Sequence, residues 1–441
     1  MYYFRRVIRP LCNTTVVQST PVKELAALTM KVMLALVLLT LATSARADLD
    51  INEVVRLALA DDPTIAASKA RSQAFSDNAV ADGQLPDPQL NTGIYNLPTD
   101  NFHINEESST QLRLGIKQSF PRGKTLHYRQ RQSEWQATAA MATAELDARQ
   151  VILDVRHNFL ELYYQDRARD IVVATRALFS QLVDITRVHY ATGRVSQQDV
   201  LQATLELARL DDRSTRILNA VDTSRAALMK WIGTPALLPV NSTFPELPLP
   251  ASRGQIETAL AEHPAILIET ARLEAENQSI RIAREQYKPG WSAGLEYRKR
   301  FGEDPDGDDR SDMMAAMLTV DIPLFTKNRQ DKRLSASIKQ ASSVQLGRDD
   351  KLRELKRQLD TDYANWQRLE ERAALYKSQL LQTSTANAQA SLNAYQSGVT
   401  EFNTLMRARI TDLDVRLADL RIRVDRAKAQ ASLLYLAGEN S

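Results

Sequence analysis

The sequence predicts a mainly α-helical protein with a small β part, built from a helix, strand, strand, long helix, helix unit used twice. Three observations predict it. From Lys124 to His189 there is no proline and no glycine, and apolar residues recur at helical spacing. Four short segments instead alternate apolar and polar residues with the period of a strand. These five elements, with a glycine turn before the last helix, then appear in the same order in both halves, which chance local similarity would not produce.

Composition agrees with extended helices rather than a compact globule. Aromatic residues are only 6% of 441, and the long stretches are filled with Ala, Leu, Gln, Arg, Glu and Asp. Near the start, Met30-Lys31, an apolar run over 32–41 and Ala45-Arg46-Ala47 form the three parts of a secretory signal peptide at 30–47. The run is too short to span a bilayer as a helix. Residues 1–29 are an extension that we read as a start codon placed too early; Arg5-Arg6 is not followed directly by an apolar run, as a twin-arginine signal requires. The single cysteine, Cys12, precedes the expected cut, so the mature chain offers no disulfide, thiolate ligand or cysteine nucleophile. It would carry 50 Lys/Arg against 53 Asp/Glu, net −3, which leaves no basic footprint for nucleic acid.

The first repeat is expected over 48–249. Its opening helical stretch, 51–82, is interrupted at Asp62-Pro63, where a proline suits the first turn of a new helix. Pro86 and Pro88 end it. A strand at 89–95, an exposed loop and a strand at 111–120 follow, the second carrying Leu112, Leu114, Ile116 and Phe120 on one side and Arg113, Gly115, Lys117 and Ser119 on the other. Pro121 stops it, because proline cannot donate to a sheet ladder. The long helix then runs over 124–190 with a stripe at Ile152, Val155, Phe159, Leu162, Ile171, Leu178, Leu182 and Ile185. Gly193 suits a left-handed helix cap, and Ser196 caps a helix over 196–231 with a seam at Leu207, Leu210, Ile217, Val221, Leu228 and Trp231.

The second repeat, 250–441, restates this. Leu260-Ala-Glu-His-Pro264 matches Leu59-Ala-Asp-Asp-Pro63, and Pro289 ends the helix that follows. Strands are expected at 291–300 and 313–322, with Pro323 ending the second. A long helix at 327–396 has its seam at Leu352, Leu355, Leu359, Trp366, Leu369, Ala373, Tyr376 and Leu380. Gly398 breaks it as Gly193 broke the first. The last helix, 400–437, carries Met406, Ile410, Leu413, Leu417, Leu420, Val424, Ala427, Ala431 and Leu434 at coiled-coil spacing.

Four such strands have open edges, an aggregation hazard in water. Each has the length of a tilted membrane strand. A barrel closed between subunits removes every edge, and an interior wide enough for solute favours three protomers and twelve strands. The competing reading at this point is a small soluble β-domain capping a coiled-coil rod.

The chain resembles the TolC-type outer-membrane efflux channels over 48–437. The resemblance rests on the doubled Ala-Leu-Ala-x-x-Pro openings, on Gln84-Leu-Pro86-Asp-Pro88-Gln-Leu90, on Gln118-Ser-Phe-Pro121 with Val320-Asp-Ile-Pro323, and on the two turns. Those turns read Tyr190-Ala-Thr-Gly193-Arg-Val195-Ser196-Gln-Gln-Asp199-Val-Leu201 and Tyr395-Gln-Ser-Gly398-Val399-Thr400-Glu401-Phe-Asn403-Thr-Leu405. It implies a homotrimeric twelve-stranded barrel in the outer membrane of a Gram-negative bacterium, continued by a helical tunnel through the periplasm. It further implies a periplasmic adaptor and an inner-membrane pump of the resistance-nodulation-division type, with no cofactor. The QLPDPQL and SFPRGK segments most resemble branches that serve heavy-metal or cation pumps.

In that family the two turns form the periplasmic tip, so the resemblance assigns adaptor docking to Tyr190, Gly193, Val195, Ser196, Asp199, Leu201, Tyr395, Gly398, Val399, Thr400 and Leu405. It also assigns the barrel-tunnel junctions to Pro86, Pro88, Pro121, Pro289 and Pro323. Some members carry a carboxylate ring at the entrance; here Asn403 and Met406 stand there, with Glu401 the nearest acid. Helix caps at the glycines and seam packing at Leu201 and Leu405 explain those residues equally well without any contact. The acidic loop from Asp304 to Asp309 resembles a calcium loop but is spoiled by Pro305, and no histidine pair has metal-ligand spacing. No nucleophile elbow or phosphate loop is present. The alternative function, a periplasmic coiled-coil adaptor, predicts one helical hairpin between β-rich halves, whereas this sequence predicts two.

The strand alternation makes a register test. Spin labels at Leu112, Leu114 and Ile116 should report lipid and those at Arg113 and Lys117 water; the opposite accessibility overturns the register.

Overall fold

The computed structural model describes residues 48–438; the expected signal peptide and the extension before it lie outside the described residues. The chain begins with α1 (Ile51–Ala60) and α2 (Pro63–Asp82). Asp62 caps α2, its carboxylate accepting from the N–H groups of Thr64 (2.8 Å) and Ile65 (3.1 Å), with Pro63 in the first turn. Strands β1 (Gln89–Tyr95) and β2 (Gln111–Phe120) lead into α3 (Thr125–Ala191). Helix α3 has 67 residues, a rod roughly 100 Å long at 1.5 Å per residue. Helix α4 (Gln197–Ile232) returns beside it.

The second half follows with α5 (Arg253–Ala259), α6 (Pro264–Glu285), β3 (Gly290–Arg300), β4 (Met313–Asp321), α7 (Gln330–Leu375), α8 (Leu381–Gln396) and α9 (Phe402–Ala437). A helix over 327–396 was expected as one uninterrupted element. A π-helical turn at Tyr376–Leu380 divides it, so the second long helix changes its winding once while the first does not. Such turns add a residue to the helix and re-aim the faces beyond it.

Helix α3 is the spine against which the others lie. Helix α2 runs along its first part, where the Ser72 hydroxyl donates to the Ala137 carbonyl (2.9 Å) and Ser68 to Asp147 (2.6 Å). Buried Ala137, Ala139, Ala140, Ala142 and Ala144 let α2 and α6 approach closely on different sides, since helix separation is set by the side chains between them. Further along, larger residues take over. Val155, Phe159, Leu160 and Leu162 pack with the α9 residues Leu413, Leu417, Leu420 and Val424 in one continuous core.

The expected stripe of α3 fails in its distal part. Leu178 and Ile185 are exposed, at 45% and 41%, while Phe179, Val183 and Thr186 are buried. A straight helix drifts about 20° per heptad against a strict seven-residue repeat, and the buried line has stepped to the neighbouring positions. In α9 the expected line holds throughout, with all but the half-buried Ile410 fully enclosed.

The four strands form one antiparallel sheet in the order β1-β2-β3-β4. Its register places Leu90 opposite Ile116, Ile116 opposite Leu295, and Leu295 opposite Ala316. Because side chains alternate across a strand, one face carries Leu90, Ile94, Leu112, Leu114, Ile116, Leu295, Met314 and Leu318, all exposed. No helix covers it. At the helical end of this face Phe120 and Trp291 stack with ring centroids 4.0 Å apart. The other face is polar over β1 to β3, with Glu296 held between Arg298 (2.5 Å) and Arg113 (3.8 Å), while β4 adds the exposed Met313 and Met317.

The two passages from strand to long helix, each marked by a proline in sequence, differ in structure. Between Phe120 and Thr125 the chain turns in four residues, with Gly123 at φ +50. A Cβ there would sit 1.8 Å from the Glu285 carboxylate, which accepts from the Lys124 N–H at 2.7 Å. Burial opposes ionisation of Glu285, but Lys288 and that N–H hold its pKa below the ordinary range. After Asp321 the chain takes eight residues to reach α7, including the exposed Leu324 and Phe325, and no side chain caps the helix. The prolines end the strands, but neither enters a helix.

Helix α6 repeats the proline start of α2 with a different cap. His263 is buried, and its Nδ1 accepts from the Ala265 N–H at 3.3 Å. Burial, helped by the Arg149 cation, pushes its pKa down from 6.5 to about 4. The unfolded chain therefore binds a proton that the folded chain refuses, and stability is lost as pH falls from about 6.5 toward about 4. His263→Asn keeps a cap acceptor without a titrating ring, so its melting temperature should fall less over that interval than that of the parent chain.

Candidate functional site

Two regions concentrate polar, solvent-open residues: the pair of turns at the far end of the helical rod, and the junction where helices meet sheet. At the first turn α3 ends in a two-bond cap. The N–H of Arg194 donates to the His189 carbonyl (2.9 Å) and that of Gly193 to Tyr190 (3.0 Å). At the second, Val399 donates to Ala394 (2.9 Å) and Gly398 to Tyr395 (3.1 Å). Gly193 and Gly398 have φ of +69 and +74, the left-handed conformation this motif requires. Neither has any atom near the position of a Cβ, so backbone conformation alone demands glycine.

The turns differ in how the next helix starts. Ser196 and Asp199 form a reciprocal box, Ser196 N–H to the Asp199 carboxylate at 3.0 Å and Asp199 N–H to the Ser196 hydroxyl at 3.3 Å. Asp199 is thereby explained as a cap. In the second turn Glu401 occupies the cap position with no side-chain bond. The structure brings the two turns together around a cleft of about 730 Å³ whose walls include Arg194, Ser196, Asp199, Gly398, Thr400 and Asn403.

Burial separates the candidate residues. Leu405 is fully buried, and Tyr395 packs edge-on against Phe402; both hold the tip together from inside. Met406, expected at the entrance, is 1% exposed within the protomer's own core, and so does not line an opening in this conformation. Its place in the α9 seam, four residues before the half-buried Ile410, is the physical reason. Glu401 is exposed and Asn403 half-exposed. Tyr190, Val399 and Leu201 are exposed, Val399 at 80% and Leu201 at 62%, while Val195 is half-buried. Sequence reasoning missed Leu205. It is exposed one turn beyond Leu201 and with it forms an apolar strip edged by Gln198, Gln202 and Arg209. The signal was the four-residue spacing of two leucines outside the α4 seam.

At the junction, Pro86, Pro88 and Pro289 are exposed, and Pro121 and Pro323 half-buried. The Gln118 side chain donates to the Pro86 carbonyl at 2.8 Å, and Tyr287 joins α6 to α7 through Asp331 at 2.6 Å. Among the described residues no group of three His, Asp or Glu is placed to hold a metal ion. None of the described helices is long and apolar enough to cross a membrane, a statement that does not concern the strands.

No curated protein matches the sequence. The fold is similar to that of VceC from Vibrio cholerae, an outer membrane protein, with TM-score 0.74 and 18% identity over 88% of this chain and 96% of that one. It is similar to the outer membrane channel CmeC of Campylobacter jejuni, with TM-score 0.73 and 15% identity over 89% and 86%. The MtrE outer membrane channel of Neisseria gonorrhoeae, solved in an open state, aligns with TM-score 0.73 and 13% identity over 88% of each chain. The family model for outer membrane efflux proteins matches residues 54–234 and again 255–439, one stretch in each half. The chain belongs to the outer membrane efflux protein family and is an outer-membrane efflux channel.

Proposed function

We propose that three copies of this chain form the exit duct of a tripartite exporter in the outer membrane of a Gram-negative bacterium, each contributing four strands to one twelve-stranded barrel. The observation that carries this reading is the sheet itself. It is antiparallel, exposes one apolar face, covers that face with no helix and leaves β1 and β4 unpaired on their outer sides. In a bilayer, where each unpaired backbone group costs several kcal/mol, only closure satisfies it. Lipid then takes the apolar face, and the polar face turns to the lumen.

On this reading residues 48–249 and 250–441 are the two structural repeats of one protomer. The junction at Pro86, Pro88, Pro121, Pro289 and Pro323 marks the boundary between membrane and periplasm, and the rod beyond it lies in the periplasm. A periplasmic adaptor docks at the tip, with an inner-membrane pump behind it, which we take to be of the resistance-nodulation-division type. Tyr190, Val195, Leu201 and Leu205 from the first turn and helix, with Val399 and Thr400 from the second, present the docking surface. Gly193, Ser196, Asp199, Tyr395, Gly398 and Leu405 shape it. Glu401 and Asn403 stand nearest the entrance. The duct moves solute passively and performs no reaction. The periplasmic adaptor reading gains no support, since the chain has two long-helix turns and a four-stranded sheet fed by both halves.

The outer-membrane fraction should yield a detergent-dependent, heat-modifiable trimer, and a soluble periplasmic monomer would overturn the proposal. Leu201→Glu with Leu205→Glu should leave that trimer intact, because both side chains are exposed, yet abolish export-dependent resistance and cross-linking to the adaptor. Normal resistance in that variant would remove the strip from the docking surface.

A further inference from the structure

The polar face of the sheet ends, at the junction, in a cluster that the channel function does not by itself require. Register places Lys117 on this face between Gln89 and Gly294, with Ser119 beside Ser292, and Thr319 and Asp321 further across. Below Lys117 lies a cleft of about 360 Å³ whose walls include Lys117, Ser119, Arg122, Arg129, Thr319 and Asp321. Arg122 is fixed, its Nη1 donating to the Gln286 carbonyl at 2.8 Å. The chain passes close beneath it at Gly290, where a Cβ would stand 3.2 Å from the Arg122 Cγ and 3.5 Å from the Asp321 Oδ2.

Higher on the same face charges are matched, Glu296 lying between Arg113 and Arg298. In the cleft they are not. Among the described residues none of Lys117, Arg122, Arg129 and Asp321 takes part in a salt bridge, so three cations share one space with a single carboxylate. Two guanidinium forks, one ammonium and a row of hydroxyls are the donors that carboxylate, phosphate and sulfonate groups accept from. A narrow passage walled with one sign of charge also concentrates counter-ions of the other sign.

We infer that this cleft is an anion-binding station in the lumen, where the tunnel opens into the barrel, and that it favours solutes bearing a carboxylate, phosphate or sulfonate over bare metal cations. The inference rests on the trimeric-channel reading, which repeats the cluster three times around the passage.

The full-length protein, purified as a heat-modifiable trimer, is inserted into a planar bilayer under a KCl gradient. Its reversal potential is read with and without inorganic pyrophosphate. Pyrophosphate should reduce the current of the parent channel. Lys117→Glu with Arg129→Glu should abolish that block and raise the cation-to-anion permeability ratio roughly threefold or more. Lys299→Glu, a charge reversal on the lipid side of β3 opposite Leu112, should change neither. Should the double variant fail to assemble, Lys117→Cys replaces it. The only native cysteine is Cys12, ahead of the expected cut, so an anionic thiol reagent should shift the potential opposite to a cationic one.

An unaltered ratio and block in the double or the thiol-modified variant overturn the anion station while leaving the channel in place. A shift with Lys299→Glu overturns it by putting the other face inside. Folded trimers that give no conductance steps overturn the channel reading, and the inference with it.

Discussion

A four-stranded sheet with an apolar face that no helix covers and two edges that no strand pairs, among the described residues, is left unsatisfied by them. Everything else in the molecule is arranged around that constraint. The edges belong to β1 and β4, the first and last strands in sequence, so β1 of one copy could pair only with β4 of the next, and each copy in a ring would meet two neighbours. Most of the apolar residues, from Leu90 to Leu318, lie on one side, interrupted by Thr92, Gln118 and Lys299. Water makes such a face an aggregation surface; hydrocarbon makes it the stable outside of a barrel.

The helices meet the opposite problem, which is to run far without losing register. Helix α3 solves it with alanines near the sheet and large apolar residues toward the tip. Where charge enters the seam it is neutralised. Buried Asp166 is held by Arg167 and Arg169, and Glu161 by Arg421 at 2.8 Å and by Lys428. Each acid has two cations, so losing one still leaves it a partner. Asp166, Arg167 and Arg169 all belong to α3, whereas the Glu161 set ties α9 to α3. At the sheet end Glu285 does similar work, binding the start of α3 to the end of α6 across the chain.

How much of this was legible follows from what each feature depends on. The α9 seam and the strand alternation depend on local periodicity, and both were read correctly. So were the two turn glycines, since a left-handed cap leaves a mark in sequence. The line of burial beyond Ile171 depends on how neighbouring helices cross, and there Leu178 and Ile185 misled. The π turn at Tyr376–Leu380 leaves no mark in a sequence of ordinary helix formers. Met406 was placed by counting from a glycine turn, and the count cannot tell which side of α9 faces inward. Lys117, Arg122, Arg129 and Asp321 stand up to about two hundred residues apart, and only the register of three strand pairs brings them together.

The two halves of the chain share an order of elements but differ in how tightly each is held. The first has a four-residue junction bound by Glu285 and a tip turn locked by the Ser196 and Asp199 box. The second has an eight-residue junction with no cap, a π turn within its long helix and a tip turn whose Glu401 caps nothing. Its main polar tie is Asp412, which accepts from Ser384 and Thr385 at 3.0 and 2.9 Å and meets Arg416 at 2.9 Å. Local opening starts where the ties are fewest. Among the described residues those ties are fewest at the junction and the tip turn of the second half, where neither helix start has a side-chain cap.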